Sequence, residues 1–135
     1  MSINLSKRLN KVALFIEENS VLADVGTDHG YLPIYLVMND KISKAYAMDI
    51  NKMPLKSASE NIAKSGYSHK IKTVLSNGLQ NLSDDVNCVL ICGLGSPTIV
   101  STLLSHQEKL NNVNCLVLQS NTSMDIVRST LNSLG

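Results

Sequence analysis

The chain has 135 residues, of which 44% are hydrophobic and 17% charged, with a formal net charge of +1. That is enough apolar material for one domain with a core of its own. It is too little positive charge for strong non-specific attraction to nucleic acid, so such a role would need a local basic patch. No apolar run approaches the roughly 20 residues of a membrane span and no secretory signal opens the chain, so a cytoplasmic location is expected.

Residues 5–18 open the chain with Leu9, Val12, Phe15 and Ile16 at helical spacing, which predicts an amphipathic helix. Residues 21–25 are a short apolar run leading into a turn with Gly26 and Gly30, and Pro33 marks a helix over 33–38. A second strand is predicted over 45–50, and Pro54 and Gly66 punctuate the next helix at its start and end. Residues 71–75 read as strand three. Residues 88–92, Cys-Val-Leu-Ile-Cys, read as a central strand buried on both faces. Ser96 and Pro97 look like the cap and first turn of a further helix, residues 115–118 are strand five, and a last helix is predicted over 123–133. Alternating strands and helices argue an α/β fold: an open, doubly wound parallel sheet in the order 3-2-1-4-5. In that order strand five is expected to be a bare edge.

Cys88, Cys92 and Cys115 lie in apolar runs and are expected as buried, reduced thiols. They do not combine with His29, His69 and His106 at metal-ligand spacing, and no metal site is expected.

The strand-to-helix turn carrying Gly26 and Gly30 is the element that holds a cofactor in open α/β sheets, because ligands lie beyond the carboxyl ends of the strands. Several further residues should converge on that edge. Asp49 ends strand two, where a carboxylate accepts hydrogen bonds from ribose hydroxyls, or is merely solvated. Asn77-Gly78 ends strand three, either as a contact to an adenine ring or as a plain turn. Gly93-Leu94-Gly95-Ser96 ends strand four. Asp24, Ile50 and Leu94 complete the cofactor-binding set with Gly26, Asp28, Gly30, Asp49, Asn77, Gly78 and Gly93. The dinucleotide pattern G-x-G-x-x-G is absent, since its third and sixth positions are Asp28 and Tyr31. A carboxylate in that turn repels a pyrophosphate but tolerates the sulfonium and ammonium of S-adenosyl-L-methionine, so a nicotinamide dinucleotide is disfavoured.

These residues bring the chain to a known family. Leu5-Ser6-Lys7-Arg8-Leu9, the string from Ala23 through Asp24-Val25-Gly26-Thr27-Asp28-His29-Gly30-Tyr31-Leu32-Pro33, Asn77-Gly78-Leu79, Gly93-Leu94-Gly95 and Leu118-Gln119 resemble the bacterial TrmK-type tRNA (adenine-N1)-methyltransferases, which modify the adenine at tRNA position 22. The resemblance implies a Rossmann-like class I S-adenosylmethionine-dependent methyltransferase fold. It covers the family's catalytic domain and not its helical C-terminal extension. Residues 1–135 are accordingly expected to be an N-terminal part of a longer protein, lacking the last two strands of the family sheet. Three departures stand out: Asn77 where an acid is usual, Ser96 where the strand-four loop ends in Gly, and Ser120 where Pro follows the Gln.

For methylation of a ring nitrogen, the resemblance makes Asp28 the first candidate to offset charge developing on the adenine, with His29 and Tyr31 behind it. Asp28 is equally suited to the cofactor's amino group or to a helix cap. Tyr31 could stack on a flipped base or belong to the core. Lys7, Arg8 and Lys11 form a basic cluster that is either a solvated helix face or a set of phosphate contacts. Gly95 and Asn121 complete the expected RNA-binding set. tRNA is the implied partner, and nothing fixes the oligomeric state. The readings left beside this one are a methyltransferase for another RNA or a small molecule, and a catalytically silent cofactor-binding module.

Overall fold

Five apolar runs form the parallel part of a single sheet in a computed structural model that describes residues 3–121 and 125–130. The elements are α1 (Lys7–Leu14), β1 (Ser20–Val25), α2 (Tyr31–Met38), β2 (Ile42–Asp49), α3 (Lys52–Ser65), β3 (Ile71–Leu75), β4 (Cys88–Leu94), α4 (Ser96–Ser105), β5 (Cys115–Ser120) and β6 (Ile126–Thr130), with a short 3-10 turn at Gln107–Asn112. The strand order is β3-β2-β1-β4-β5-β6, so the expected 3-2-1-4-5 order holds for the first five strands. Successive side chains along a strand point to opposite faces. Leu22, Ala45, Ala47, Cys88 and Leu90 therefore pack with α1, α2 and α3 on one face. Ala23, Val25, Met48, Val89 and Ile91 pack with Ile99 of α4 on the other.

The end of the chain departs from expectation. In place of the helix predicted over 123–133, residues Ile126–Thr130 form β6, antiparallel to β5 with Gln119 opposite Ile126 and Cys115 opposite Thr130. Residues 123–124 and 131–133 of that predicted helix lie outside the described residues. The physical reason is twofold. Ile126, Val127 and Thr130 are β-branched and favour extended backbone, and the edge of β5 offers a row of unpaired N–H and C=O groups. β6 satisfies them, so β5 is not the bare edge expected.

Two helix starts also differ. Ser6 caps α1 by accepting from Leu9 N–H at 3.2 Å, and the helix ends at Leu14, so that Ile16 turns inward to 2% exposure. α2 begins at Tyr31, two residues before Pro33. A proline in the first turn costs nothing there, because those N–H groups have no partner within the helix.

Candidate active site

The carboxyl ends of β1 to β4 open onto one cleft of about 440 Å³. Its floor is the loop after β1. Gly26 and Thr27 both donate backbone N–H bonds of 2.9 Å to Met48 of β2, fixing the loop to the neighbouring strand. Gly30 closes the loop as the N-cap of α2 at φ +76°, and a Cβ there would stand 3.1 Å from Cβ of Ala58 on α3. Both the left-handed backbone and the close approach of α3 require glycine.

Asp24 is the buried acid of the site, 4% exposed, with Thr27 Oγ1 donating to its Oδ2 at 3.0 Å. Burial pushes its carboxyl up to about 7; the Thr27 hydrogen bond opposes this, while Asp49 and Asp28 add to it. A carboxylate that expensive to ionise is stabilised by a cation arriving beside it. Asp49 ends β2 on the cleft, one oxygen accepting from Asn51 N–H at 2.9 Å. Ile50, 59% exposed, and Asn77 and Gly78 line the same wall. Leu94 and Gly93 line the wall opposite, from β4. Nine of the ten residues expected to hold the cofactor thus line one cleft, and the tenth, Gly30, closes the loop beneath it.

Asp28, His29 and Tyr31 form an exposed group at its mouth. Asp28 stands in the left-handed region at φ 48°, with its carboxylate 3.4 Å from His29 Nε2. The His29 and Tyr31 rings lie 5.4 Å apart. Two residues that sequence reasoning missed hold this group from α3. Ser57 Oγ is 2.7 Å from His29 Nδ1, and Asn61 Nδ2 donates to the His29 carbonyl at 2.9 Å. Their signal was present: positions 57 and 61 are one helical turn apart and share a face. Ser76 was missed too. It is buried, donating to the Gly78 carbonyl at 2.8 Å and accepting from Asn81 N–H at 3.1 Å, which shapes the turn that presents Asn77. Thr98 and Thr102 of α4 also line the cleft.

Arg8 does not join Lys7 and Lys11. Those two are exposed, whereas Arg8 is half-buried and lines the cleft. Gly95 caps α4, and Asn121 donates its backbone N–H to the Leu94 carbonyl at 2.9 Å; both sit behind the β4 wall rather than in the cleft. Cys88 and Cys115 are buried as expected, but Cys92 is half-buried and lines the cleft. Its thiol donates to Gln119 Oε1 at 3.1 Å, and burial raises it to about 11. Among the described residues no group of three His, Cys, Asp or Glu is placed to hold a metal, and no helix is long and apolar enough to cross a membrane. Three acids and one arginine line the cleft, a charge pattern that fits a cationic sulfonium ligand and not a pyrophosphate.

Residues 5–135 match the methyltransferase domain family. The tRNA (adenine(22)-N(1))-methyltransferase of Bacillus subtilis is 36% identical over 130 residues, which is 96% of this chain and 55% of that protein. The solved structure of the B. subtilis m1A22 tRNA methyltransferase TrmK superposes with a TM-score of 0.84 at 36% identity, covering 89% of this chain and 52% of that one. TrmK from M. capricolum, solved with S-adenosyl-homocysteine, gives a TM-score of 0.80 at 46% identity over 88% of this chain and 53% of that one. The chain spans about half the length of these relatives.

Proposed function

The chain belongs to the methyltransferase domain family, and on that premise we propose that it is the catalytic domain of an S-adenosylmethionine-dependent tRNA methyltransferase acting on N1 of adenine. The observation that carries this reading is the loop from Asp24 to Gly30. It combines a buried acid, a strained exposed acid and a helix start on one cleft edge, and its sequence resembles the TrmK-type string.

The cofactor supplies a methyl group already activated by the positive charge on sulfur. What the chain adds is position and field. Asp49 takes the ribose hydroxyls, Asn77 the adenine amino group and Asp24 the ammonium. Gly26, Gly30, Gly78, Gly93, Ile50 and Leu94 shape the walls around them. N1 of adenine attacks through an in-plane lone pair, so positive charge passes from sulfur to the ring and no proton has to leave. A fixed negative group beside the ring is therefore worth more than a base. Asp28 supplies it, its side chain 80% exposed and tethered next to His29. Tyr31, 40% exposed, offers a face on which an extruded base can stack. Lys7 and Lys11, on the exposed side of α1, and Gly95 and Asn121, behind the β4 wall, are the positions we assign to tRNA. A cytoplasmic location belongs to the same proposal.

Calorimetry with S-adenosylhomocysteine and NAD is the first test, with Asp49→Ala as control. Tight binding of the former alone, lost in the variant, is expected. Methyl transfer to a tRNA transcript, abolished when the target adenine is replaced, then tests the substrate. Transfer that persists on the replaced transcript would show a different target.

A further inference from the structure

The loop into α2 carries Asp28 and His29 at the cleft mouth, and α2 packs between α1 and α3 on one face of the sheet. All three helices begin at the carboxyl edge of that sheet, since Arg8 of α1, Tyr31 of α2 and Pro54 of α3 all line the cleft. The two outer helices present lysines at matching places. Lys7 and Lys52 are the first residues of α1 and α3, Lys11 and Lys56 are the fifth, and all four are exposed. Residues four apart share a helical face, so a pair of lysines flanks the mouth on either side. Ser57, the neighbour of Lys56, lies 2.7 Å from His29 Nδ1, which fixes the α3 pair beside the mouth.

The fold does not use these charges. None of the four lysines forms an ion pair among the described residues. Glu60 stands four residues beyond Lys56, a spacing at which opposite charges can pair, and the two form no ion pair. Neither helix has an acid in its first turn, and Lys7 and Lys52 occupy the end where the helix dipole opposes a cation. A polyanion lying across both helices would turn these unfavourable placements into contacts. The mouth between the pairs has the opposite sign. The Asp28 side chain stands in it, 80% exposed, with Asp24 and Asp49 also on the cleft. A phosphodiester chain is therefore drawn to the flanks and repelled from the centre, where an uncharged base can enter. Neighbouring helices pack about 8–10 Å apart, so the two pairs stand about 16–20 Å apart, wide enough to hold backbone on both sides of one extruded nucleotide.

We propose that Lys52 and Lys56 bind the tRNA backbone on one side of the target adenine while Lys7 and Lys11 bind it on the other. Charge then sorts the nucleic acid, with phosphates on the two flanks and the base in the acidic mouth. This rests on reading the chain as a tRNA methyltransferase. Lys64 is not part of the surface. It lies about 18 Å along α3 from Lys52, in the last turn, where the helix dipole favours a cation.

The test measures tRNA binding by filter retention, with S-adenosylhomocysteine present, across a series of salt concentrations. The proteins are wild type, Lys52→Gln/Lys56→Gln, Lys7→Gln/Lys11→Gln and Lys64→Gln. Each phosphate contact adds about 0.7–0.9 to the slope of log affinity against log salt, so each double variant should flatten it by about 1.4–1.8 and weaken binding about 20- to 60-fold near 0.1 M salt. Lys64→Gln should keep the wild-type slope. S-adenosylhomocysteine affinity, measured by calorimetry, should be unchanged in every variant, which a misfolded protein would not show. Either double variant with the wild-type slope has only a solvated face on that flank and overturns the two-sided arrangement, leaving the tRNA reading intact. An equal loss in Lys64→Gln shows diffuse attraction in place of positioned contacts and overturns it as well. Wild type that binds S-adenosylhomocysteine but no tRNA overturns the tRNA reading itself, and the proposal with it.

Discussion

Asp24→Asn separates what this carboxyl does for function from what it costs the fold. The folded protein holds the Asp24 proton up to about pH 7, against an ordinary value of 3.8. Between those values the folded state binds more protons than the unfolded one, so stability falls as pH rises through that window. Above pH 7 the charged, buried group exerts its whole penalty, about 4 kcal/mol for a shift of about three pH units. Asparagine keeps the shape and can still accept from Thr27 Oγ1, but carries no charge. In urea melts the variant should match wild type near pH 4.5 and exceed it by about 2–4 kcal/mol at pH 8. It should also bind S-adenosylhomocysteine more weakly, because the ammonium loses its partner. Wild-type affinity should fall as the pH drops below 7 while that of the variant stays flat. A variant less stable than wild type at both pH values, by the same amount, would refute the reasoning, since only a hydrogen-bonding role would then remain.

Other substitutions test the supports of the site. Gly30→Ala places a Cβ 3.1 Å from Ala58 on a left-handed backbone, so a loss of about 1–3 kcal/mol and of cofactor affinity is expected from thermal melts with and without ligand. Ser57→Ala and Asn61→Ala should lower kcat for tRNA methylation while leaving S-adenosylhomocysteine affinity within about twofold, because both side chains hydrogen-bond to His29 and neither lines the cleft. Asp85→Ala deprives the Tyr46 hydroxyl of acceptors at 2.9 and 3.0 Å and should cost about 1–2 kcal/mol in chemical denaturation. The Ser83 hydroxyl, with Lys44 and Tyr46, holds the Asp85 carboxyl down at about 2, so its contribution is present above pH 4 and lost as pH falls toward 2. The variant should lack that acid arm.

The five parallel strands were legible because each is an apolar run closed by turn residues, and their order followed from the alternation with helices. The convergence of Asp24, Asp49, Asn77 and Gly93 on one edge followed from topology alone. Three features were not legible, for different reasons. Strand β6 has a local signal in its β-branched residues, but it depends on a pairing partner, the free side of β5, that this signal does not identify. The inward position of Arg8 was masked by its neighbours, although Lys7 and Lys11, four residues apart, share a helical face from which Arg8 is turned by about 100°. The hold of Ser57 and Asn61 on His29 joins residues 28 and 32 positions apart in sequence, and becomes visible only once α3 lies against the loop.

The departures from the family pattern bear on whether this cleft is an intact site. Two of them meet in space: Ser96 Oγ donates to Ser120 Oγ at 2.9 Å, joining the start of α4 to the end of β5. The bond is exposed to solvent, so it links the two elements without being required to satisfy either hydroxyl. Next to them, Gln119 accepts from Cys92 and donates to the Ser120 carbonyl at 2.6 Å, so the wall behind Gly93 and Leu94 is tied to β5 by side-chain bonds. The third departure, Asn77, keeps an amide oxygen that can accept from an adenine amino group, on a turn held by Ser76. Asn77 removes one negative charge from the cleft wall, while Asp24, Asp28, Asp49 and Arg8 remain. A buried carboxyl and a buried Arg8 Nε–H without a partner each destabilise the fold unless a ligand offsets them, so a cleft that binds nothing is expected to lose these groups first.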